Sequence, residues 1–324
     1  MSFSVVSTFS GCGGSSLGYA LAGGKMLLAC EWEKNAAATY SFNFPSTPLI
    51  HGDIVKLSCD EALSRIGMSP GELDVLDGSP PCQGFSTAGS RRIDDKRNQL
   101  FREYVRLLRG LMPRAFVMEN VSGMVKGAMR LVFADCLREL KTSGYRVRAR
   151  LLNAKYYNVP QSRPRLIFVG LRSDLGVEPS HPKPQTAPIT LRRALEGLQS
   201  VGDVGRPPKS ALQFYDATRP GTTHAKRFSF YRCAWDRTPP TVCKVLGTGG
   251  HWHPDEKRYL SVNELKRVCS YPDDFQFCGR YADAVARMGN SVPPNFMRAI
   301  ATHVAALLEQ SNPDQCPIRT QPTT

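Results

Sequence analysis

The stretch Phe3-Ser4-Val5-Val6-Ser7-Thr8-Phe9-Ser10-Gly11-Cys12-Gly13-Gly14 decides the fold. Its first seven residues are β-branched, aromatic or small, as a buried strand requires, and they break into a glycine-rich turn. A helical stretch, Ser15 to Ala22, follows, and Met26 to Cys30 reads as a second strand ending at Glu31. Strand, glycine turn, helix and strand in that order begin a parallel α/β sheet. Outward from this unit, Leu73–Asp77, Ala115–Met118 and Leu166–Val169 are further strand candidates. Gln99–Leu111 and Ala128–Thr142 carry helical patterns between them. Residues 1–175 therefore read as a doubly wound domain.

Beyond it the texture changes. Residues 176–280 are rich in Pro, Gly, Thr and basic side chains with short apolar runs, which predicts a smaller, loop-rich domain with short strands. Regular patterning returns at Tyr259–Cys269, and Pro293–Gln310 reads as a helix opened by prolines. Residues 281–310 are thus expected to be a C-terminal helix folding back on the first domain. The polar stretch 311–324 is expected to be a disordered tail.

Composition narrows the class. Hydrophobic content of 41% and charged content of 22% fit a soluble globular chain of 324 residues. No apolar run approaches the roughly 20 residues that span a bilayer. Met1 to Gly14 lacks the basic lead and cleavage pattern of a signal peptide, so no membrane association and a cytoplasmic, nucleoid-associated location are expected. The 10 cysteines contain no C-x-x-C pair, which predicts free thiols, no disulfide and no metal. Cys243, His251 and His253 are read as loop and core residues rather than as ligands. Charge is unevenly spread: residues 1–82 are net −4 against +14 overall, so the remainder carries +18. Seven basic residues and no acid fall in residues 146–172. Such asymmetry suits a polyanionic partner.

Several segments carry chemistry. Without side chains, the turn Phe9-Ser10-Gly11-Cys12-Gly13-Gly14 lets a ligand approach backbone and helix N-terminus, although Ser16 stands where the dinucleotide fingerprint has its third glycine. Glu31 at the end of the second strand suits ribose hydroxyls, and Trp32 suits stacking on a purine. Asp53, followed by Ile54, offers a carboxylate to an exocyclic amine. Together these suggest an adenosine-containing cofactor. Directly after the strand Leu73–Asp77 comes Gly78-Ser79-Pro80-Pro81-Cys82-Gln83-Gly84-Phe85-Ser86, which sets Cys82 at the carboxyl edge of the sheet. Glu119-Asn120-Val121 reaches the same edge. Gln161-Ser162-Arg163-Pro164-Arg165 precedes another strand, and Gly289-Asn290-Ser291-Val292-Pro293-Pro294 opens the last helix.

This ordered set resembles the cytosine-5 DNA methyltransferase family over residues 3 to about 172 and 256 to 309. The resemblance implies a Rossmann-like S-adenosylmethionine-dependent methyltransferase sheet with a target-recognition domain. It implies S-adenosylmethionine as cofactor, held by Phe9 to Gly14, Glu31, Trp32, Asp53, Ile54, Pro80, Asn290, Ser291 and Val292. Cys82 is then the nucleophile: carbon 5 of cytosine takes a methyl group only after a thiolate has added to carbon 6. Glu119 serves N3 and the N4 amino group, Asn120 positions the Pro-Cys loop, and Arg163 and Arg165 hold the base and favour the thiolate. The cytosine must leave the stack of double-stranded DNA to be reached. Arg91, Arg92, Lys96 and Arg97 are expected to close on DNA, with Arg227, Arg232 and Thr241 of the middle region contacting it. One departure is visible: the family's Arg-x-Leu-Thr-x-Arg-Glu reads Arg258-Tyr259-Leu260-Ser261-Val262-Asn263-Glu264 here.

The implied setting is a monomeric enzyme of a bacterial or phage restriction-modification system, with a cognate endonuclease acting separately. Two alternatives stand beside it. A tRNA cytosine-5 methyltransferase is expected to carry a Cys-Phe-Thr element in the middle region, and this sequence has none. A catalytically silent DNA-binding relative would lack Cys82 or Glu119, and both are present.

Overall fold

The computed structural model describes residues 2–81, 99–127, 129–244 and 249–311. Cys82, Arg91, Arg92, Lys96 and Arg97 lie outside the described residues, as does the tail from residue 312. In chain order the larger part comprises β1 (Phe3–Thr8), α1 (Gly14–Leu21), β2 (Gly24–Glu31), α2 (Lys34–Asn43), β3 (Leu49–His51), α3 (Cys59–Ile66) and β4 (Val75–Gly78). It continues through α4 (Gln99–Leu111), β5 (Ala115–Val121), α5 (Met129–Thr142), β6 (Tyr145–Asn153) and β7 (Pro164–Arg172).

Among the described residues these strands form a seven-stranded sheet in the order β3-β2-β1-β4-β5-β7-β6. The first five are parallel, whereas β7 runs antiparallel to both β5 and β6. The chain winds outward from β1 to β3, then returns to the other side of β1 with β4. That reversal opens a crevice beyond the carboxyl ends of β1 and β4, where open α/β sheets take ligands. The glycine turn leaves β1 there, and the Pro-Cys segment leaves β4.

Ladder pairing makes two strands longer than their apolar cores predict. β5 pairs with β7 from Ala115↔Leu171 to Val121↔Arg165, so Glu119 and Asn120 belong to the strand itself. β6 has no counterpart among the strands read from the sequence. It is an edge strand whose exposed Arg146, Arg148 and Arg150 alternate with half-buried Val147 and Ala149. The charge that guards an edge against further pairing hides its period of two.

Each face of the sheet has its own core. On one, Val6, Leu28, Leu76, Phe116 and Met118 pack with Tyr104, Leu107, Leu108 and Leu111 of α4 and with Val132 and Leu140 of α5. On the other, Val5, Val75, Ala115 and Val117 pack with Tyr19 of α1 and with Phe296, Ile300 and Val304. Val5 and Val6 point to opposite faces, as strand geometry dictates.

The remaining elements are α6 (Leu191–Leu195), α7 (Lys209–Asp216), β8 (Thr222–His224), β9 (Arg227–Arg232), β10 (Gly250–Trp252), α8 (Val262–Val268), α9 (Tyr281–Asn290) and α10 (Pro294–Gln310). Strands β10, β9 and β8 form a small mixed sheet. Phe230 and Trp252 stack within a third core that also takes Tyr259, Leu265, Tyr281, Val285 and Met288. Thus the α9 side chains Tyr281, Val285 and Met288 lie in this third core, whereas Val292 and the α10 side chains Phe296, Ile300 and Val304 lie in the core of the large sheet. There α10 lies so close to α1 that a Cβ on Gly18 would sit 2.5 Å from Met297 Cβ.

Candidate active site

The turn after β1 is held from below. Ser10 donates to the Cys30 carbonyl through its amide (3.1 Å) and its hydroxyl (3.2 Å). Gly11 N donates to Glu31 Oε2 and Glu33 N to Glu31 Oε1, both at 2.8 Å, so two amides lock the buried Glu31 carboxylate in place. Each of its oxygens retains a further lone pair for a hydroxyl. Trp32 follows at 76% exposure, an unusual position for an indole, and no described residue buries it.

Three glycines of the turn differ in what surrounds them. A Cβ on Gly13 would strike the Phe44 ring, and one on Gly14 would lie 2.4 Å from the Val292 carbonyl oxygen. Gly11, at φ +57°, faces open space. Phe9 also takes a positive φ, of 55°. Cys12 points inward, its thiol 3.3 Å from Tyr271 Oη and pushed up to about 11 by burial, so it packs rather than reacts. Tyr271 also donates to Ser291 Oγ at 2.7 Å, which ties the glycine turn to the Asn290–Val292 turn. Asn290 is exposed there and Val292 buried.

Asp53 caps the short helical turn Ile54–Lys56 by accepting from Val55 N. Arg106 of α4 clamps this turn from beneath, donating to the carbonyls of Ile54 (3.2 Å) and Leu57 (2.7 Å). A fixed carboxylate, an uncovered indole, open space at Gly11 and a capped acidic turn suit an adenosine-bearing cofactor.

Pro80 precedes Cys82 by two residues. Asn120 Nδ2 donates to the Pro80 carbonyl oxygen at 3.1 Å, while its Oδ1 accepts from Val121 N. On the β1 side, Thr8 Oγ1 donates to the Asp77 carbonyl at 2.9 Å. The approach to Cys82 is therefore gripped by strands on both sides of β4. Two residues along β5 from Val117, Glu119 forms an ion pair with Arg165 Nε at 2.7 Å, with both side chains nearly buried. Arg165 also donates to its neighbour's carbonyl at Pro164.

Arg163 is enclosed by backbone from other parts of the chain. It is 1% exposed and donates through Nη1 to the Val242 carbonyl (3.2 Å) and through Nη2 to the Gly289 carbonyl (2.7 Å). Burial lowers its pKa to about 10, with Arg165 adding to the effect. Through these bonds it joins the large sheet to the small domain. Gln161 works beside it, accepting from Val242 N and donating to Cys269 Sγ.

The DNA-contact candidates in the small domain divide similarly. Arg227 is exposed at the start of β9, its guanidinium over the Phe214 ring. Arg232 is turned inward, donating to the carbonyls of Pro254, Tyr215 and Thr218, so its role in this structure is to brace the domain. Thr241 directs its hydroxyl to the Ser162 carbonyl at 2.9 Å, in the seam between the domains. At the departure from the family pattern, Ser261 caps α8 in a capping box with Glu264, and Arg258 bridges Glu264 through two nitrogens. The serine keeps the hydroxyl that a threonine would supply.

Asp77, Arg106 and Tyr271 were not singled out by the sequence reading. Asp77 alone left a trace, as an acid directly after the apolar pair Val75-Leu76; the others are recognisable only from the contacts they make. Among the described residues, no group of three or more His, Cys, Asp or Glu gathers as a metal site, and no helix is long and apolar enough to cross a membrane.

Residues 3–206 and 209–306 match the family of C-5 cytosine-specific DNA methylases. The chain is 34% identical to the Type II methyltransferase M1.HphI of Haemophilus parahaemolyticus, over 94% of this chain and 87% of that protein. It is also 34% identical to the Type II methyltransferase M.NgoPII of Neisseria gonorrhoeae, over 94% and 96%. A prophage-encoded E. coli protein assigned as a DNA modification methyltransferase superposes with a TM-score of 0.80 at 25% identity, over 95% of this chain and 99% of that one. The S. pombe Dnmt2 methyltransferase shares the fold, with a TM-score of 0.69 at 18% identity over 96% and 100%.

Proposed function

This chain belongs to the C-5 cytosine-specific DNA methylase family, and on that premise we propose how its residues carry out the methylation of cytosine in DNA. The cofactor of this reading is S-adenosylmethionine, whose sulfonium supplies an activated methyl group. The residues to hold it are Phe9 to Gly14, Glu31, Trp32, Asp53, Ile54, Pro80, Asn290, Ser291 and Val292. Glu31 accepts from ribose hydroxyls, and Trp32 stacks on the adenine.

The substrate is double-stranded DNA with the target cytosine turned out of the helix. Cys82 attacks carbon 6 as a thiolate, a bond forms from sulfur to that carbon, and carbon 5 becomes electron-rich. Glu119 holds a proton at N3 and accepts from the N4 amino group, which favours the charge moving into the ring. Arg165, paired with Glu119, fixes that carboxyl and stands beside the base. Asn120 holds Pro80, and through it the approach to Cys82. Once carbon 5 carries the methyl group, its proton leaves to a base and the thiolate departs.

Arg91, Arg92, Lys96, Arg97 and Arg227 are the proposed contacts to DNA. A monomer acting with a separate restriction endonuclease completes the reading. What supports it most directly is the junction at the end of β5, where the Asn120 bond to Pro80 adjoins the Glu119–Arg165 pair.

The test is to incubate the protein with methyl-labelled S-adenosylmethionine and unmethylated DNA, identify the nucleoside and map it by bisulfite sequencing. Labelled 5-methylcytosine at one recurring sequence, abolished in Cys82→Ala, is the expected result. Methylation of DNA by Cys82→Ala would overturn the mechanism.

A further inference from the structure

Asp77 occupies the penultimate position of β4, with a carboxyl group only 3% exposed. No Lys or Arg side chain among the described residues pairs with it. Its partners are hydroxyls: Oδ2 accepts from Ser7 Oγ and Ser15 Oγ, both at 2.8 Å, and Oδ1 from Tyr19 Oη at 3.4 Å. Ser15 lies in the first turn of α1, immediately after the glycine turn, so the carboxylate stands at the positive end of that helix. Its own carbonyl is held by Thr8, at the other end of the same turn.

A buried carboxylate without a cation is costly, and the strand residues before it, Val75 and Leu76, are apolar. The three hydroxyls would be satisfied equally well by a neutral amide or another hydroxyl, because each can donate or accept. What distinguishes Asp77 from those alternatives is its charge. That charge lies directly beneath the Phe9–Gly14 turn and two residues before Ser79. A fixed charge in a poorly polarisable interior acts on other charges at a distance and leaves neutral ligands almost unaffected.

We propose that Asp77 sets the preference of the cofactor site for a cationic sulfonium donor over its neutral thioether product, by holding a negative charge beneath the Phe9–Gly14 turn. This rests on the reading of S-adenosylmethionine as the cofactor. The bound donor carries one positive charge more than S-adenosylhomocysteine and otherwise shares its groups, so the ratio of the two affinities isolates the charge. Asp77 acts at a distance and touches no reacting atom, which makes it a positioning residue for charge.

Titration offers a second handle. Burial raises the Asp77 pKa to about 6, against the lowering effect of Ser15, Ser7 and Tyr19, while Glu119 raises it further. The ionisable groups facing it are Tyr19 on α1, Tyr40 on α2, Tyr104 on α4 and Glu119 on β5. Burial holds all three tyrosines above their ordinary range, so they stay neutral where Asp77 titrates. Glu119 is paired with Arg165.

The experiment is calorimetric titration of the full-length protein with S-adenosylmethionine and with S-adenosylhomocysteine. It is done at about pH 7 and about pH 5, where both ligands keep a protonated amino group. In Asp77→Asn the donor is expected to bind several-fold more weakly with product affinity unchanged. In the wild type the same loss of preference is expected on going from the higher pH to the lower, and in the variant it should be absent. Equal weakening of both ligands would indicate a merely structural role and overturn the inference. So would a wild-type ratio that is constant with pH, a measurement that stands even where the variant fails to fold. A wild type that binds neither ligand would remove the cofactor reading, and this inference with it.

Discussion

Arg163 Nη2 donates to the carbonyl oxygen of Gly289 at 2.7 Å, joining the large sheet to the last turn of α9. The same guanidinium reaches the Val242 carbonyl, so one buried cation closes backbone from three parts of the chain. Gly289 in turn has no room for a side chain: a Cβ there would lie 2.5 Å from the backbone of Cys243 and Lys244. Arg163→Met should leave these carbonyls without donors in the interior and destabilise the protein by about 2–4 kcal/mol. Chemical denaturation measures this directly; a change within experimental error would show that the seam does not depend on the guanidinium.

Asn120→Ala removes the hold on Pro80 without touching the cofactor turn. The expected outcome is a fall in kcat on the order of 10²-fold, as for misplacement of a reacting group by about 1 Å, with a much smaller loss of cofactor affinity through the single contact at Pro80. Comparing single-turnover rates with binding titrations separates the two effects. A variant that loses cofactor affinity in proportion to rate would show Asn120 to be a general support instead.

Glu119→Gln keeps the shape of the side chain and removes its charge and its acid. Loss of proton transfer at N3 should lower kcat by about 10²–10⁴-fold. Arg165 would also lose its ionic partner, so the variant is best examined beside Arg165→Gln. If the two share one function, the double variant should be no slower than the slower single one.

Acid should weaken the fold, and the sign follows from buried imidazoles. Burial lowers His251 and His181 to about 4, from a usual value near 6.5. Both are neutral in the folded chain, so their contribution is complete above the unfolded pKa and is lost as pH falls from 6.5 toward 4. Asp77 works in the opposite direction: its folded pKa of about 6 exceeds the unfolded value, so protonation stabilises the fold as pH falls through the same window. Thermal melts should show a net loss of stability on acidification that is shallower in His251→Gln and steeper in Asp77→Asn. Parallel curves for all three proteins would contradict these assignments.

Much of this organisation can be read from local pattern. The glycine turn, the second strand and the helix Gln99–Leu111 rest on neighbours in sequence, and α4 has those bounds. Arg163 and Arg165 show where such reading stops. They share one motif, yet one is enclosed by carbonyls from residues 242 and 289 while the other meets Glu119. Nothing within the motif indicates which guanidinium the distant chain will cover. Arg227 and Arg232 differ in the same way at opposite ends of β9. The edge strand β6 was hidden for a different reason, because alternate arginines resemble a solvated loop unless its partner β7 is known.

The close crossing of α1 and α10 at Gly18 bears on the order in which a growing chain can acquire structure. Strands β1 to β7 leave the ribosome early, but one face of their sheet, with Val5, Val75 and Val117, stays only partly covered, by Tyr19 of α1 among others, until Pro294–Gln310 has been made. The small domain is completed first, and the large one closes around the last helix. Such late, long-range closure slows folding and leaves a sticky intermediate. Chains that stop before Pro294 should therefore aggregate during synthesis even though every strand of the central sheet is present.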